Sequence, residues 1–178
     1  MRPQSDGFEE KVIQIKRVSK KTKGGNKIRF TALAVVGDRV GKVGYGMAKA
    51  LDVTTAISKS LAKAKRDVVN VVLHDTTIPH EVSESFKASA VKIMPAPKGS
   101  GIIAGGAVRD VLSLCGLKDV SAKMLGSNSK NGAVVCTINA LKKLEKKVLT
   151  VDRAEKVKET VDEESQESTN QAGGSDVA

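Results

Sequence analysis

The sequence is poor in aromatic residues and has no long apolar run. Phenylalanine, tyrosine and tryptophan make up 2% of its 178 residues, and tryptophan does not occur. Proteins that bind single-stranded nucleic acid stack the bases on aromatic side chains, so such a platform is poorly supported here. No apolar run approaches the roughly 20 residues that span a membrane. Residues 1–10 contain no apolar signal-peptide segment. We therefore expect a cytosolic protein.

Cysteine and histidine are equally scarce, with two of each. Cys115 and Cys136 lie in apolar segments, which predicts small buried side chains and not a disulfide framework or an activated thiolate. His74 and His80 flank a turn-like segment, with no cysteine nearby at zinc spacing. We therefore predict no catalytic residue, no cofactor and no metal site.

Basic residues are abundant and unevenly distributed. The net charge is +10, yet residues 1–147 hold 27 basic and 12 acidic side chains, whereas residues 148–178 hold 3 and 8. A basic body of this kind predicts a polyanionic partner. The polar composition after Asp152 predicts an acidic disordered tail over residues 149–178, and residues 1–8 are predicted to be flexible.

The first half of the chain predicts a three-strand antiparallel meander followed by a helix. A strand-like region begins near Val12, and turn residues occupy 22–26. Further strands are predicted over residues 28–36 and 42–46. The helix is indicated by apolar residues at helical spacing, with Asp52 as its predicted N-cap; these residues are Val53, Ile57, Leu61, Ala64 and Val68. Lys59, Lys63 and Arg66 line another face of this helix. A short strand is predicted over residues 69–73.

The second half predicts the order β-β-α-β-α. The predicted elements are strands at 81–83 and 85–95, a helix through residues 108–115 that Gly116 ends, a strand at 120–125 and a last helix through residues 134–144. The fold class is therefore α+β. We predict an N-terminal domain over residues 9–74 and a C-terminal βαβα domain over residues 75–148.

A glycine-rich stretch between these elements, residues 95–109, is called the glycine segment below. Gly99, Gly101 and Gly105 give a spacing one residue longer than the dinucleotide-binding fingerprint, with Asp119 about where a ribose-binding acid could lie. The strand that precedes the segment follows another strand, so the βαβ context of that fingerprint is weak. A nucleotide-dependent enzyme would require this segment to bind ATP or NAD.

Residues 37–42 imitate a P-loop but are one residue too short between their glycines. Val43 stands where the motif needs a serine or threonine, so the magnesium ligand is missing. A phosphate-binding P-loop is therefore not supported.

Ser19–Gly25 is predicted to be the first loop of the meander; it combines lysines with glycines and contains no acidic residue. Contacts with phosphate need many cations and exposed backbone amides, which this composition supplies. The sequence therefore favours a protein that recognises structured RNA by shape and phosphate position. The glycine segment leads into the start of a predicted helix, and the side chains there are small. The free amides at this helix start could therefore bind phosphate or contact a neighbouring protein.

Several long motifs, in order over about residues 9–148, resemble the bacterial fifth small-subunit ribosomal protein family. These motifs are Arg-Val-Ser-Lys from 17, Lys-Gly-Gly from 23, Phe-Thr-Ala-Leu-Ala-Val-Val-Gly-Asp from 30, Gly-Lys-Val-Gly-Tyr-Gly from 41 and Gly-Ser-Gly-Ile-Ile-Ala-Gly-Gly-Ala from 99. Where the family usually has a glycine and an arginine after the third strand, this chain has Ala48 and Leu51. Lys130 stands where a proline is usual.

The resemblance implies an N-terminal domain similar to double-stranded-RNA-binding domains and a structural role without an active site. It implies binding to small-subunit ribosomal RNA and contacts with the fourth and eighth small-subunit proteins, near the third. It also implies a place beside incoming messenger RNA and an effect on subunit assembly and decoding accuracy. The alternative is an RNA-binding regulator that acts outside the ribosome.

Residues expected at each surface follow from the basic clusters, the glycine segment and the resemblance. Those expected to contact RNA are Arg17, Lys20, Lys21, Lys23, Gly24, Gly25, Lys27, Lys49, Lys59, Lys63 and Arg66. Those expected to face a protein are Gly101, Gly105, Gly106 and Arg109.

Overall fold

The computed structural model describes residues 7–144. The tail predicted over residues 149–178, and most of the flexible stretch predicted over residues 1–8, lie outside the described residues. The chain begins with a three-strand antiparallel meander, which confirms the predicted order; its strands are β1 (Glu9–Thr22), β2 (Gly25–Gly37) and β3 (Lys42–Ala50).

The helix α1 (Val53–Arg66) packs closely on this sheet. Its buried residues are Ala56, Ser60 and Ala64, whereas the larger apolar residues of the predicted face are only partly buried. Glycines in β3 explain the difference. A Cβ atom on Gly46 would lie 2.1 Å from the Ser60 carbonyl oxygen. The helix therefore approaches so near that only small side chains fit.

Both ends of α1 differ in detail from the sequence prediction. Asp52 occupies the N-cap position in extended conformation, but its side chain makes no capping hydrogen bond. After the helix, β4 (Val68–Asn70) pairs with β3 and extends the sheet to four strands in the order β1-β2-β3-β4. The strand predicted over residues 69–73 is thus shorter and begins one residue earlier.

The second half forms another four-stranded sheet with the order β5-β6-β8-β7. Its strands are β5 (Val82–Phe86), β6 (Ser89–Pro95), β7 (Ile102–Ile103) and β8 (Val120–Gly126), and its helices are α2 (Gly106–Cys115) and, over residues 130–144, α3. The hairpin turns at residues 87–88, not at residue 84, and Lys87 adopts a φ of 56° there.

The short strand β7 has no counterpart in the sequence prediction. It lies inside the glycine segment and pairs in parallel with β8, to which α2 connects it. A strand of two residues is too short to show a periodic pattern. Ile103 is also 60% exposed, so it does not look like a core residue. The glycine segment therefore does belong to a βαβ unit.

A single hydrophobic core crosses the predicted domain boundary. Leu33, Val35 and Val43 of the first sheet belong to the same buried cluster as Val111 and Leu112 of α2. Ala32 faces α1 in a smaller, separate cluster with Ala50 and Ala56. One face of the first sheet is therefore covered by α1, and the other is covered by the second half of the chain.

Polar contacts fasten the same junction between the β2–β3 turn and α2. The backbone N–H of Arg39 donates to the carbonyl of Leu114 at 3.0 Å, and that of Gly41 donates to Cys115 at 2.9 Å. Lys11 pairs with Asp110 of α2 at 2.7 Å. The two halves of the described chain are thus held in one fixed arrangement.

Candidate nucleic-acid interface

The ends of β1 and β2 project beyond the rest of the first sheet. Their pairing runs to Thr22 opposite Gly25, so the loop consists only of residues 23–24. Pairing between β2 and β3 stops at Phe30 opposite Ala50. Residues 18–29 therefore form a free two-stranded extension, which we call the β-ribbon. Most of its cations lie on strands and not in a loop.

Strand register sorts these cations onto two faces. Directly opposed residues of an antiparallel pair share a face, and neighbours along a strand alternate. Lys20 is opposite Lys27, and Val18 is opposite Arg29, so these three cations share one face, called the groove face. Lys21 and Arg17, which precedes the β-ribbon in β1, lie on the other, called the opposite face.

The groove face is concave. Its groove, of about 520 Å³, is lined by the cations Lys20, Lys27, Arg29 and Lys49 together with Val18, Ser19 and Thr22. A second groove of about 340 Å³ shares Arg29 and Lys49 and extends to Lys59 and Asp52 at the start of α1. Four residues predicted to contact RNA, which are Lys20, Lys27, Lys49 and Lys59, therefore line two adjoining grooves.

The remaining predicted RNA contacts lie outside these grooves. Arg17, Lys21 and Lys23 are exposed on the opposite face or at the tip, beside Gly24 and Gly25. Lys63 and Arg66 are exposed on α1, where Arg66 lies 3.8 Å from Asp67. The predicted set therefore occupies three surfaces: the grooves, the opposite face with the tip, and α1.

Arg29 was absent from the predicted contacts although it lines both grooves. It belongs to the acid-free basic run from residue 11 to residue 29, but composition does not say which cations share a face. Counting the register outward from the two-residue loop places Arg29 two residues from Lys27, on the same face. Hairpin register was the signal that could have identified it.

The β-ribbon carries uncompensated positive charge. Lys20 and Lys27 are directly opposite, an arrangement of like charges that destabilises a strand pair. Within residues 7–144, no cation of the β-ribbon forms an ion pair, whereas Lys11, Lys92 and Lys98 each pair with a carboxylate. An anion bound at the β-ribbon would therefore relieve repulsion that the described part of the chain leaves in place.

In the glycine segment, by contrast, two backbone amides already bind an internal anion. The N–H groups of Gly99 and Gly101 each donate to Oδ1 of Asp119 at 3.0 Å. Asp119 is only 6% exposed. The nearby Thr76 side chain and the two amides hold the pKa of this carboxyl below its ordinary value. Neither these amides nor this carboxylate is available to a nucleotide.

Glycines leave parts of the glycine segment without side-chain cover. Gly101 adopts a φ of +70°, and open space surrounds the positions where Gly101 and Gly106 would carry a Cβ atom. Gly105 lies against Met124 and caps α2. The exposed Arg109 donates from Nη2 to the Ile102 carbonyl at 2.9 Å, which ties α2 to β7. At Gly101 and Gly106 a neighbouring macromolecule could therefore approach the backbone closely.

The two cysteine thiols are poorly suited to act as nucleophiles. Burial, with a smaller contribution from the charge of Asp38, raises the pKa of Cys115 to about 12, and burial also raises the pKa of Cys136. Both thiols are buried, as predicted. Among residues 7–144 no group of three histidine, cysteine, aspartate or glutamate side chains could hold a metal ion. No helix in this range is long and apolar enough to cross a membrane.

Comparison with known families gives two matches along the chain. The model described as ribosomal protein S5, N-terminal domain, matches residues 8–72, which contain the first sheet, the β-ribbon and α1. The model described as ribosomal protein S5, C-terminal domain, matches residues 84–154, which contain the glycine segment and α2. Both interfaces predicted from the sequence thus lie within matched regions.

Proposed function

The chain belongs to the ribosomal protein S5 family, and from this premise we propose which of its surfaces contact the small ribosomal subunit. Members of this family are structural components of the small subunit and bind its ribosomal RNA. The protein is therefore a cytoplasmic ribosomal protein with an architectural role. Its individual contacts are the subject of the proposal.

We propose that the grooves, the β-ribbon and the exposed face of α1 bind ribosomal RNA. The observation that carries this assignment is the set of β-ribbon cations without a carboxylate partner among the described residues. The proposed contacts are Arg17, Lys20, Lys21, Lys23, Gly24, Gly25, Lys27, Arg29, Lys49, Lys59, Lys63 and Arg66. Lysine and arginine supply charge for phosphate, and the glycines let backbone approach it.

We propose that Gly101, Gly105, Gly106 and Arg109 face the fourth small-subunit protein. What supports this is the open space beside Gly101 and Gly106 and the exposure of Arg109. The eighth protein would pack beside the same molecule, the third would lie near it, and messenger RNA would enter the subunit close by. Through these contacts the protein would support assembly and decoding accuracy. Residues 9–74 and 75–148 would act as the RNA-binding and protein-facing parts.

The first experiment is fractionation of a cell lysate on a sucrose gradient, followed by a wash in high salt. We expect stoichiometric co-migration with small subunits that survives the wash, because a structural component is held by many contacts at once. Migration as a free protein would contradict the architectural role and favour a regulator outside the ribosome. In that case, thermal shift with ATP and with NAD would test nucleotide binding, and the occupied amides of Gly99 and Gly101 predict no shift.

The protein-facing surface is tested by Gly101→Arg. Because open space surrounds this position, the new side chain would project toward the proposed neighbour. We expect altered misreading of a reporter messenger and unchanged affinity for RNA. Gly101→Ala is the matched control, since it imposes the same backbone strain without the long side chain. Misreading at the wild-type level in Gly101→Arg, with normal incorporation into subunits, would refute the assignment of this surface.

A further inference from the structure

Acidic side chains in the described part of the chain are, with one exception, held by partners within the protein. Residues 7–144 contain ten aspartates and glutamates. Nine of them form a hydrogen bond or an ion pair, as Asp38 does with the amides of Val40 and Lys42. Asp52 is the exception, because its carboxylate has no such bond to any residue of this range.

The carboxylate of Asp52 nevertheless lies in a basic environment. It lines the second groove, of about 340 Å³, together with the exposed cations Arg29, Lys49 and Lys59. None of these cations forms an ion pair among the described residues. A carboxylate repels phosphate, so a groove built for phosphate alone would gain nothing from it. Asp52 is therefore suited to a hydrogen-bond donor that arrives together with the phosphates.

The two oxygens of a carboxylate can accept two parallel hydrogen bonds. Guanine is the RNA base whose Watson–Crick edge presents two adjacent N–H donors, at N1 and N2. Adenine and cytosine each place an acceptor beside the amino group, and uracil has a single N–H between two carbonyls. The Watson–Crick edge is accessible only where the base is unpaired, and unpaired bases are the ones that proteins read in RNA. The carboxylate therefore selects an unpaired guanine.

The other walls of the second groove suit the faces of a base. Leu51 lines it and is 64% exposed, so it offers an apolar surface. The guanidinium of Arg29 is a plane on which a base can stack. The volume of about 340 Å³ lies within the range of about 300–1,000 Å³ that is typical of small-ligand sites, so one base fits.

We propose that the second groove binds one unpaired guanine of the RNA, with Asp52 accepting hydrogen bonds from N1 and N2 of the base. This inference rests on the proposed RNA-binding function and adds recognition of one base to a surface that otherwise contacts phosphate. Leu51 and Arg29 contact the faces of the base, and Lys49 and Lys59 contact the flanking phosphates.

The test is chemical footprinting of whole small-subunit ribosomal RNA bound to saturating full-length chain. Kethoxal reacts with N1 and N2 of unpaired guanines, and dimethyl sulfate reacts with N1 of adenine and N3 of cytosine. Asp52→Asn replaces the two acceptor oxygens by an amide with one, whereas Asp52→Glu retains the carboxylate. Lys59→Gln is the matched control, since it removes a charge from the same groove without removing the acceptor.

We expect the wild type to protect one guanine from kethoxal by about 5- to 150-fold, the range that one good pair of hydrogen bonds to a base provides. Asp52→Asn should leave this guanine as reactive as in free RNA, and Asp52→Glu should restore part of the protection. Lys59→Gln should protect the same guanine and reduce the slope of log affinity against log salt by about 0.9. Asparagine is as good an N-cap residue as aspartate, so urea unfolding of Asp52→Asn should match the wild type.

Other outcomes separate this inference from the function on which it rests. If no guanine depends on Asp52 while Lys59→Gln still reduces the salt slope, RNA binding stands and the guanine site fails. If Asp52→Asn instead exposes an adenine or cytosine to dimethyl sulfate, Asp52 contacts another base, which overturns the inference. If guanosine monophosphate alone binds the wild type as tightly as RNA does, and Asp52→Asn abolishes this binding, the groove takes a free nucleotide and the inference is also wrong. If neither protection nor a change of slope is seen, the proposed RNA contact fails as well.

Discussion

The β-ribbon and the glycine segment are the two regions in which the sequence predicts phosphate contacts. They differ in whether the folded chain itself supplies a partner for their amides or cations. In the glycine segment, Asp119 accepts hydrogen bonds from the amides of Gly99 and Gly101. In the β-ribbon, Lys20 and Lys27 oppose each other with no carboxylate partner among the described residues. The amides of the glycine segment thus have an anion within the chain, whereas the cations of the β-ribbon have none among the described residues.

A sequence that resembles a phosphate-binding motif can have its amides and cations either free or already paired within the protein. Free amides and clustered cations indicate an anion site only when the fold leaves them without an internal partner. The glycine segment fails this criterion for nucleotides but still offers bare backbone to a neighbour. The β-ribbon meets it, because its cations have no carboxylate partner among the described residues.

The largest effect is expected from removing charge at the β-ribbon. Lys20→Gln, Lys21→Gln and Lys23→Gln together should reduce the salt slope of RNA affinity by roughly 2 to 3, because each phosphate contact contributes about 0.9 on duplex DNA. Titration between about 50 and 200 mM salt measures it. An unchanged slope would show that these β-ribbon cations do not contact phosphate, and the β-ribbon would then not differ from the glycine segment in this respect. Gly101→Ala should leave the slope as it is.

A smaller effect, on stability, is expected from Asp119→Asn in the glycine segment. The folded protein lowers the pKa of Asp119 from its ordinary value of 3.8, so the carboxylate stabilises the fold above that pH. This contribution is lost as pH falls through the lowered pKa. The variant should be less stable at about pH 7 and should lose less stability on acidification to about pH 3.

Urea unfolding of both proteins at the two pH values measures this effect. Glu9 also has a lowered pKa, caused mainly by its hydrogen bond with Arg39, so Glu9→Gln is the control for acid sensitivity elsewhere. Equal loss of stability on acidification in wild type and Asp119→Asn would show that the carboxylate is not the internal anion of the glycine segment.

The smallest effects are expected from two alanine substitutions in the glycine segment. Gly101→Ala should destabilise the fold by about 1 kcal/mol, because the backbone at φ +70° disfavours a Cβ atom. Gly106→Ala should stabilise by about 0.4–1 kcal/mol, since the helix accepts alanine and nothing lies within 4 Å. Urea midpoints distinguish the two, and equal shifts in one direction would contradict these backbone assignments.

Much of the fold follows from the sequence because periodic burial fixes the strands and helices. The meander, α1, α2 and the helical stretch at 130–144 were predicted from apolar spacing, and the family assignment is confirmed by both domain matches. The basic β-ribbon was also predicted, as a loop, because eight cations without an acid between residues 11 and 29 are visible in any reading.

The details that the sequence did not provide depend on pairing over long distances. The buried face of α1 is set by Gly44 and Gly46 in another strand. Helical spacing alone therefore identified Ala64 but missed Ala56 and Ser60, which are also buried. The assignment of Arg29 to the groove depends on register, and the role of Asp119 depends on a contact across 18 residues. The predicted boundary at residue 74 is not visible as a break in the core.

The core shared between the two halves has a consequence for how the chain is made. Leu33, Val35 and Val43 leave the synthesising ribosome well before Val111 and Leu112, which belong to the same buried cluster. At about 5–20 residues per second the delay between Val43 and Val111 is roughly 3 to 14 seconds. During that time the apolar face that carries these three residues cannot be covered by α2, so we expect it to be exposed to solvent in the nascent chain.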